Sequence, residues 1–149
     1  MKTLPAGTLA ALMSGSLALA TPLPAQQDPP DKGDVLTAAL SGSEETRGGD
    51  EDGRGQVSIR FDRTEGELCY DLSVEGVDEP TAAHIPRGAH GEDGPPVVSL
   101  DPPVGAGASG CVTVSTDLMD EIHGTPASFY VNVHNEEFPA GAVRGQLSK

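Results

Sequence analysis

Apolar side chains recur at every second position through two stretches of this chain, and that period constrains the fold more than any other feature. In QVSIRFD, Val57, Ile59 and Phe61 fall on one face; in ELCYDLSVEG, Leu68, Tyr70, Leu72 and Val74 do the same. Successive side chains on a strand point to opposite faces, so the pattern predicts half-buried β-strands. Related segments at Val35–Leu40, Thr81–Ile85, Val97–Leu100, Cys111–Ser115, Ser128–His134 and Ala142–Leu147 bring the expected number to about eight. The intervening RGGDEDGRG, RTEG, GVDEP, RGAHGEDGPP and DPPVGAGASG are turn chemistry. With 19 Gly and 13 Pro in 149 residues, no long helix has room to form. One short helix is expected over Thr116–His123, with Thr116 as its cap, Leu118, Met119 and Ile122 as its apolar face, and His123 against its last carbonyls. The fold class predicted is all-β, an antiparallel sandwich or barrel with one short helix.

The first residues follow a different logic. MKTLPAGTLAALMSGSLALATPLPAQQ begins with Lys2, continues through a small and apolar run, and reaches Ala18-Leu19-Ala20. This is the plan of a secretory signal peptide over residues 1–20, with cleavage after Ala25 as the alternative. The run is too short and too weakly apolar for a membrane span, and nothing later in the chain could cross a bilayer. Residues 21–33 carry four prolines among polar residues and read as a flexible linker. Residues 34–149 are then the folded domain. The expected location is secreted or periplasmic.

Export changes the reading of the cysteines. Cys69 and Cys111 are the only two, each within a strand-like segment, and in an oxidising space an even number favours a disulfide over a thiol or zinc site. Such a bridge would help a core that has no Trp, 2 Tyr and 3 Phe. A redox-active pair is the alternative, but the C-x-x-C spacing is missing.

The formal charge is −14, and loss of the signal peptide would make it one unit more negative. Nucleic acid and anionic lipid would be repelled by such a chain. The acids gather in loops as Glu44-Glu45, Asp50-Glu51-Asp52, Asp78-Glu79, Glu92-Asp93 and Glu136-Glu137, which read as solvated loops. The calcium spacing of an EF-hand is not met at Asp50-Glu51-Asp52-Gly53.

Candidate chemistry is confined to TAAHIPRGAHGEDGPPVVSL and ASFYVNVHNEEFPAGAVRGQL. If Phe129, Val131 and Val133 face the core, Asn132 and His134 face the other way. By the same reasoning Ala83 and Ile85 point inward and His84 outward, while Val143 and Leu147 point inward and Arg144 and Gln146 outward. If these strands are neighbours, His84, Asn132, His134 and Arg144 share a polar sheet face, flanked by Arg87 and His90 in the following loop. No nucleophile elbow, Cys/His pair or phosphate-binding glycine loop is present. No catalytic residue is assigned.

The phrases LCYDLSVEGV, TAAHIPRGAHGEDGPPVVSL, GCVTVS and FYVNVHNEEFPAGAVRGQL resemble the CHRD domain, a module named after chordin and found alone in many secreted bacterial proteins. The resemblance runs from about Val35 to Leu147, and the paired cysteines look like a bacterial branch of that family. It implies a β-sandwich of immunoglobulin-like or Cu/Zn superoxide dismutase-like character; in chordin these domains belong to an extracellular antagonist of growth-factor signalling. The family's common A-H-I-H-x-G maps its first histidine onto His84 and its glycine onto Gly88, with Gly94-Pro95 and His134 following. The second histidine of the pattern is Pro86 here. That substitution removes a neighbour for His84 and leaves His84 and His134, with His90 and a carboxylate such as Asp93 nearby, as a reduced copper or zinc ligand set. The leading expectation is a non-enzymatic extracellular binding or cell-envelope accessory module without a cofactor, whose partner is an unknown extracellular protein or envelope component. The alternative is a copper- or zinc-binding protein using His84 and His134, with superoxide-dismutase-like redox chemistry.

Overall fold

A computed structural model describes residues 35–149. The expected signal peptide (1–20), the linker (21–33) and the first residue of the expected domain, Asp34, lie outside the described residues. Eight strands form one antiparallel sheet: β1 (Val35–Ser41), β2 (Arg54–Asp62), β3 (Glu67–Glu75), β4 (Ala82–Pro86), β5 (Pro96–Leu100), β6 (Ala108–Thr113), β7 (Tyr130–His134) and β8 (Val143–Gln146). The order across the sheet is β5-β4-β7-β8-β1-β2-β3-β6. It curls until its two edges approach, where the Tyr70 hydroxyl on β3 accepts from Asp101 N–H just beyond β5 at 2.9 Å. The result is a nearly closed barrel, and the all-β expectation holds.

Alternation explains the core. Leu36, Ile59, Leu68, Ile85, Val131 and Val133 are fully buried on the inner face. Tyr70, Leu72 and Val57 join them, so the two most regular stretches of the sequence supply one wall of the barrel. Aliphatic packing supplies most of this interior, with Phe129 as its one fully buried phenyl ring.

Most element boundaries shift from expectation by a residue, and those of β6, the helix cap and β7 shift for a structural reason. The sixth strand is Ala108–Thr113 rather than Cys111–Ser115, because it runs antiparallel to β3 from Ala108↔Leu72 to Glu67↔Thr113. The small residues Ala108, Ser109 and Gly110 belong to the ladder despite their weak strand propensity. Ser115 is drawn out of the strand to cap the helix α1 (Thr116–Gly124), accepting from Leu118 N–H at 3.3 Å; the cap is Ser115 and not Thr116. Met119 and Ile122 are the buried face of that helix, as expected. Residues Pro126–Ser128 form a 3-10 turn, so β7 begins at Tyr130 instead of Ser128.

Cys69 and Cys111 are direct cross-strand partners and are joined by a disulfide, S–S 2.06 Å. The bridge fastens edge strand β6 to β3. Among the described residues no helix is long and apolar enough to cross a membrane.

Candidate functional site

Strand register assembles the site. His84 on β4 stands opposite Asn132 on β7, Asn132 opposite Arg144 on β8, and Arg144 opposite Ser41 on β1. A polar row therefore crosses four adjacent strands on the outer face, and His134 lies two residues along β7 on the same side. Adjacency of the strands, which periodicity leaves open, is supplied by the topology.

The face is not open to solvent. Arg144 is 2% exposed and Asn132 5%, because the β4–β5 connection (87–95) folds over them as a roof. Arg144 Nη2 donates to Ala89 O at 3.0 Å and Glu92 O at 2.8 Å, while its guanidinium carbon stacks 3.5 Å from the centre of the Tyr130 ring. Gln146 Nε2 donates to Gly88 O at 2.8 Å. Gly94 closes the roof: a Cβ there would collide with Arg87 O. Charge-assisted bonds to carbonyls are how an otherwise costly buried guanidinium is accommodated.

The connection between β1 and β2 latches onto this roof. Asp93 accepts from Thr46 Oγ1 at 2.5 Å and pairs with Arg47 Nε at 3.1 Å; the Thr46 bond first, and then Arg47, hold its carboxyl below the usual carboxylate range. His90 meets Glu44 at 2.9 Å on the exposed rim. Arg87 turns away, forming a two-pronged pair with Glu121 of α1 at 3.0 and 2.6 Å and lying over Phe129. Of the six residues expected on the face, His84, Asn132, His134 and Arg144 come together; Arg87 and His90 serve as ties at the roof's margin.

Beside the roof a cleft of about 240 Å³ remains, lined by Glu45, His84, Pro86, Asp93, Tyr130, Asn132 and His134, among others. In it His84 Nδ1 lies 3.2 Å from His134 Nε2, and His134 Nδ1 lies 3.1 Å from Pro139 O. A carbonyl only accepts, so His134 carries its proton on Nδ1 and offers the Nε2 lone pair; His84 then donates from Nδ1. Burial lowers the pKa of both imidazoles, aided at His84 by its neighbour and opposed at His134 by the Pro139 bond. The pair is a neutral one. Pro86, two residues beyond His84, forms part of the wall where the β4–β5 register shifts.

Glu45 was not distinguishable in sequence from its neighbour Glu44, yet the two part company. Glu44 reaches His90 outside, whereas Glu45 turns inward against Gly141, whose positive φ of 145° and missing side chain make room for the carboxylate. Burial pushes the Glu45 pKa up to about 7, with Arg144 pulling it down and Asp93 adding to the rise. Its Oε1 and Asn132 Oδ1 are buried without a hydrogen-bond partner.

The described residues thus form a disulfide-stapled antiparallel barrel with a roofed polar face and a cleft beside it. The family model of the CHRD domain matches residues 36–147, almost the entire described region. The chain is a member of the CHRD domain family. Searches of curated proteins and of solved structures return no match.

Proposed function

We propose that this chain is an exported, non-enzymatic CHRD-domain binding module of the cell envelope or extracellular space, with the cleft at His84, Asn132 and His134 as its working surface. The observation that carries the reading is the cleft itself. A latched roof holds a polar row in place, yet leaves Asn132 Oδ1 and Glu45 Oε1 without partners. Buried polar atoms are nearly always satisfied, so orphans at the floor of a cleft mark a place for a ligand or ordered water. A binding role is favoured over catalysis by the company the imidazoles keep: each other and a backbone carbonyl. Among the described residues, neither is hydrogen-bonded to a hydroxyl or thiol that it could activate. The disulfide and the signal-like N-terminus favour export.

Export is tested by sequencing the N-terminus of the chain expressed from Met1. A first residue after Ala20 or Ala25 supports it, and retention of Met1 in the cytoplasm contradicts it. The binding role is tested by thermal-shift screening against metal ions, small amines, sugars and short peptides, alongside ester, amide and phosphate substrates. A stabilising ligand lost on His84→Ala or His134→Ala supports the module. Turnover that depends on either histidine contradicts it.

A further inference from the structure

We propose that the cleft is a mononuclear site for a borderline transition-metal ion, copper(II) ahead of zinc(II), held by His84 Nδ1 and His134 Nε2. The inference rests on the cleft being the binding surface and adds the chemical class of what it binds. The two nitrogens, from adjacent strands, converge at 3.2 Å. Two nitrogens each about 2.0–2.1 Å from one ion stand about 2.9 Å apart at a right angle and about 3.3 Å apart at the tetrahedral angle. The spacing matches two ligands of one ion lying off the line that joins them, toward which both rings would turn as their mutual hydrogen bond is given up.

His134 is set as metal-bound histidines are, with its second nitrogen donating to a backbone carbonyl, here Pro139 O. That bond aims the Nε2 lone pair at the point where His84 Nδ1 also arrives. For His84 the change on binding is a tautomer shift: the proton leaves Nδ1 for Nε2, and the Nδ1 lone pair becomes available.

A separate observation points the same way. Asn132 sits opposite His84 in the ladder, is 5% exposed, lines the cleft, and leaves Oδ1 without a partner. Glu45 Oε1 is likewise unpartnered on the same cleft. Of the nearby cations, Arg47 pairs with Asp93 and Arg144 Nη2 holds two carbonyls, while Arg144 Nη1, 3.5 Å from Asp93 Oδ1, has no hydrogen-bond partner. Arg144 does not line the cleft, and the unpartnered buried atoms on the residues that do, Glu45 Oε1 and Asn132 Oδ1, are both oxygens, which a cation answers. Because the closest pair is imidazole nitrogen, a copper- or zinc-like ion fits better than the oxygen-seeking calcium or magnesium. The one cluster of three His, Cys, Asp or Glu ligand atoms among the described residues, Glu67 with Cys69 and Cys111, has its sulfurs in the disulfide and competes poorly. Solvent completes the coordination, leaving an open site.

The test is copper(II) titration of the untagged, chelator-free chain followed by electron paramagnetic resonance. One copper per chain, with coupling to two imidazole nitrogens, is expected. His84→Ala and His134→Ala should each remove one nitrogen coupling and weaken binding at least tenfold, whereas His123→Ala on α1 should change neither. Should an alanine variant fail to fold, the nitrogen count of the unaltered chain decides by itself: fewer than two coupled nitrogens overturns the site. Absence of stoichiometric copper or zinc also overturns it. If non-metal ligands then still shift the melting temperature in a His84-dependent way, the binding-module reading survives the loss of the metal.

Discussion

Replacing Arg144 by methionine should release the roof over the polar row. Methionine retains an unbranched apolar stem of similar reach but removes the guanidinium, and with it the bonds to Ala89 O and Glu92 O and the stacking on Tyr130. Hydrogen bonds from a charged donor contribute about 1.5–3 kcal/mol each, and a desolvated cation–π contact about 2 kcal/mol. Against these stands the desolvation cost of a guanidinium that is 2% exposed, which the substitution removes. The two carbonyls belong to a surface loop and regain water once the roof lifts. A net loss of about 3 kcal/mol follows. At roughly 4 °C per kcal/mol for a domain of this size, the melting temperature should fall by about 12 °C. Hydrogen exchange should rise across residues 87–95 well before it rises in β2 and β3. Arg144→Lys should recover less than half of the loss, since one ammonium does not span both carbonyls and stack at once. A fall under about 3 °C, with exchange in the roof unchanged, would refute the assignment of Arg144 as its anchor.

Glu45→Gln should raise stability above neutral pH. Its folded pKa of about 7 exceeds the ordinary value of 4.5, so the folded state binds the extra proton and stability falls as pH rises from 4.5 to 7. Full linkage would be about 3.4 kcal/mol; solvent reaches part of the group, so about 1–2 kcal/mol is expected, seen as a gap between variant and parent that widens from pH 5 to pH 8 in urea melts. The histidine pair acts with the opposite sign. Both pKa values are depressed by folding, so its stability is present above 6.5 and is lost as pH falls through the folded values, a slope that Glu45→Gln should expose. Imidazole nitrogen NMR at pH 7.5 should find both rings neutral with the proton on Nδ1; a proton on Nε2 of His134 would contradict the Pro139 bond. Replacing both Cys69 and Cys111 by serine opens a loop with a separation of 42 residues and should cost about 4 kcal/mol in the chain-entropy model, read by denaturant melts of the variant against the oxidised chain. A loss under 1 kcal/mol would remove the bridge as a support of the core.

The strands were legible because their signal is local. Val57, Ile59, Leu68 and Leu72 alternate with polar neighbours, and the half-buried environment that this predicts is the one they occupy. Strand β6 was placed three residues late because Ala108, Ser109 and Gly110 are carried into the ladder by β3, a tertiary effect without a local mark. The direction of His84, Asn132, His134 and Arg144 was legible for the same reason as the core: a period of two assigns both faces at once. Their burial was not. It comes from the roof, whose grip depends on the carbonyls of Ala89 and Glu92, groups every residue carries and no sequence pattern distinguishes. The latch is equally hidden, since Thr46 and Asp93 are 47 residues apart and ordinary in themselves. Glu45 shows the limit most plainly. A carboxylate beside its twin turns inward because Gly141, far along the chain, leaves room for it.

Copper-edge anomalous diffraction from crystals of the copper-loaded chain tests the central claim most directly. The account predicts one strong peak in the cleft, about 2.0–2.1 Å from both His84 Nδ1 and His134 Nε2. No peak in the cleft, or a stronger one at the acidic surface of Asp78, Glu79, Glu136 and Glu137, would contradict it.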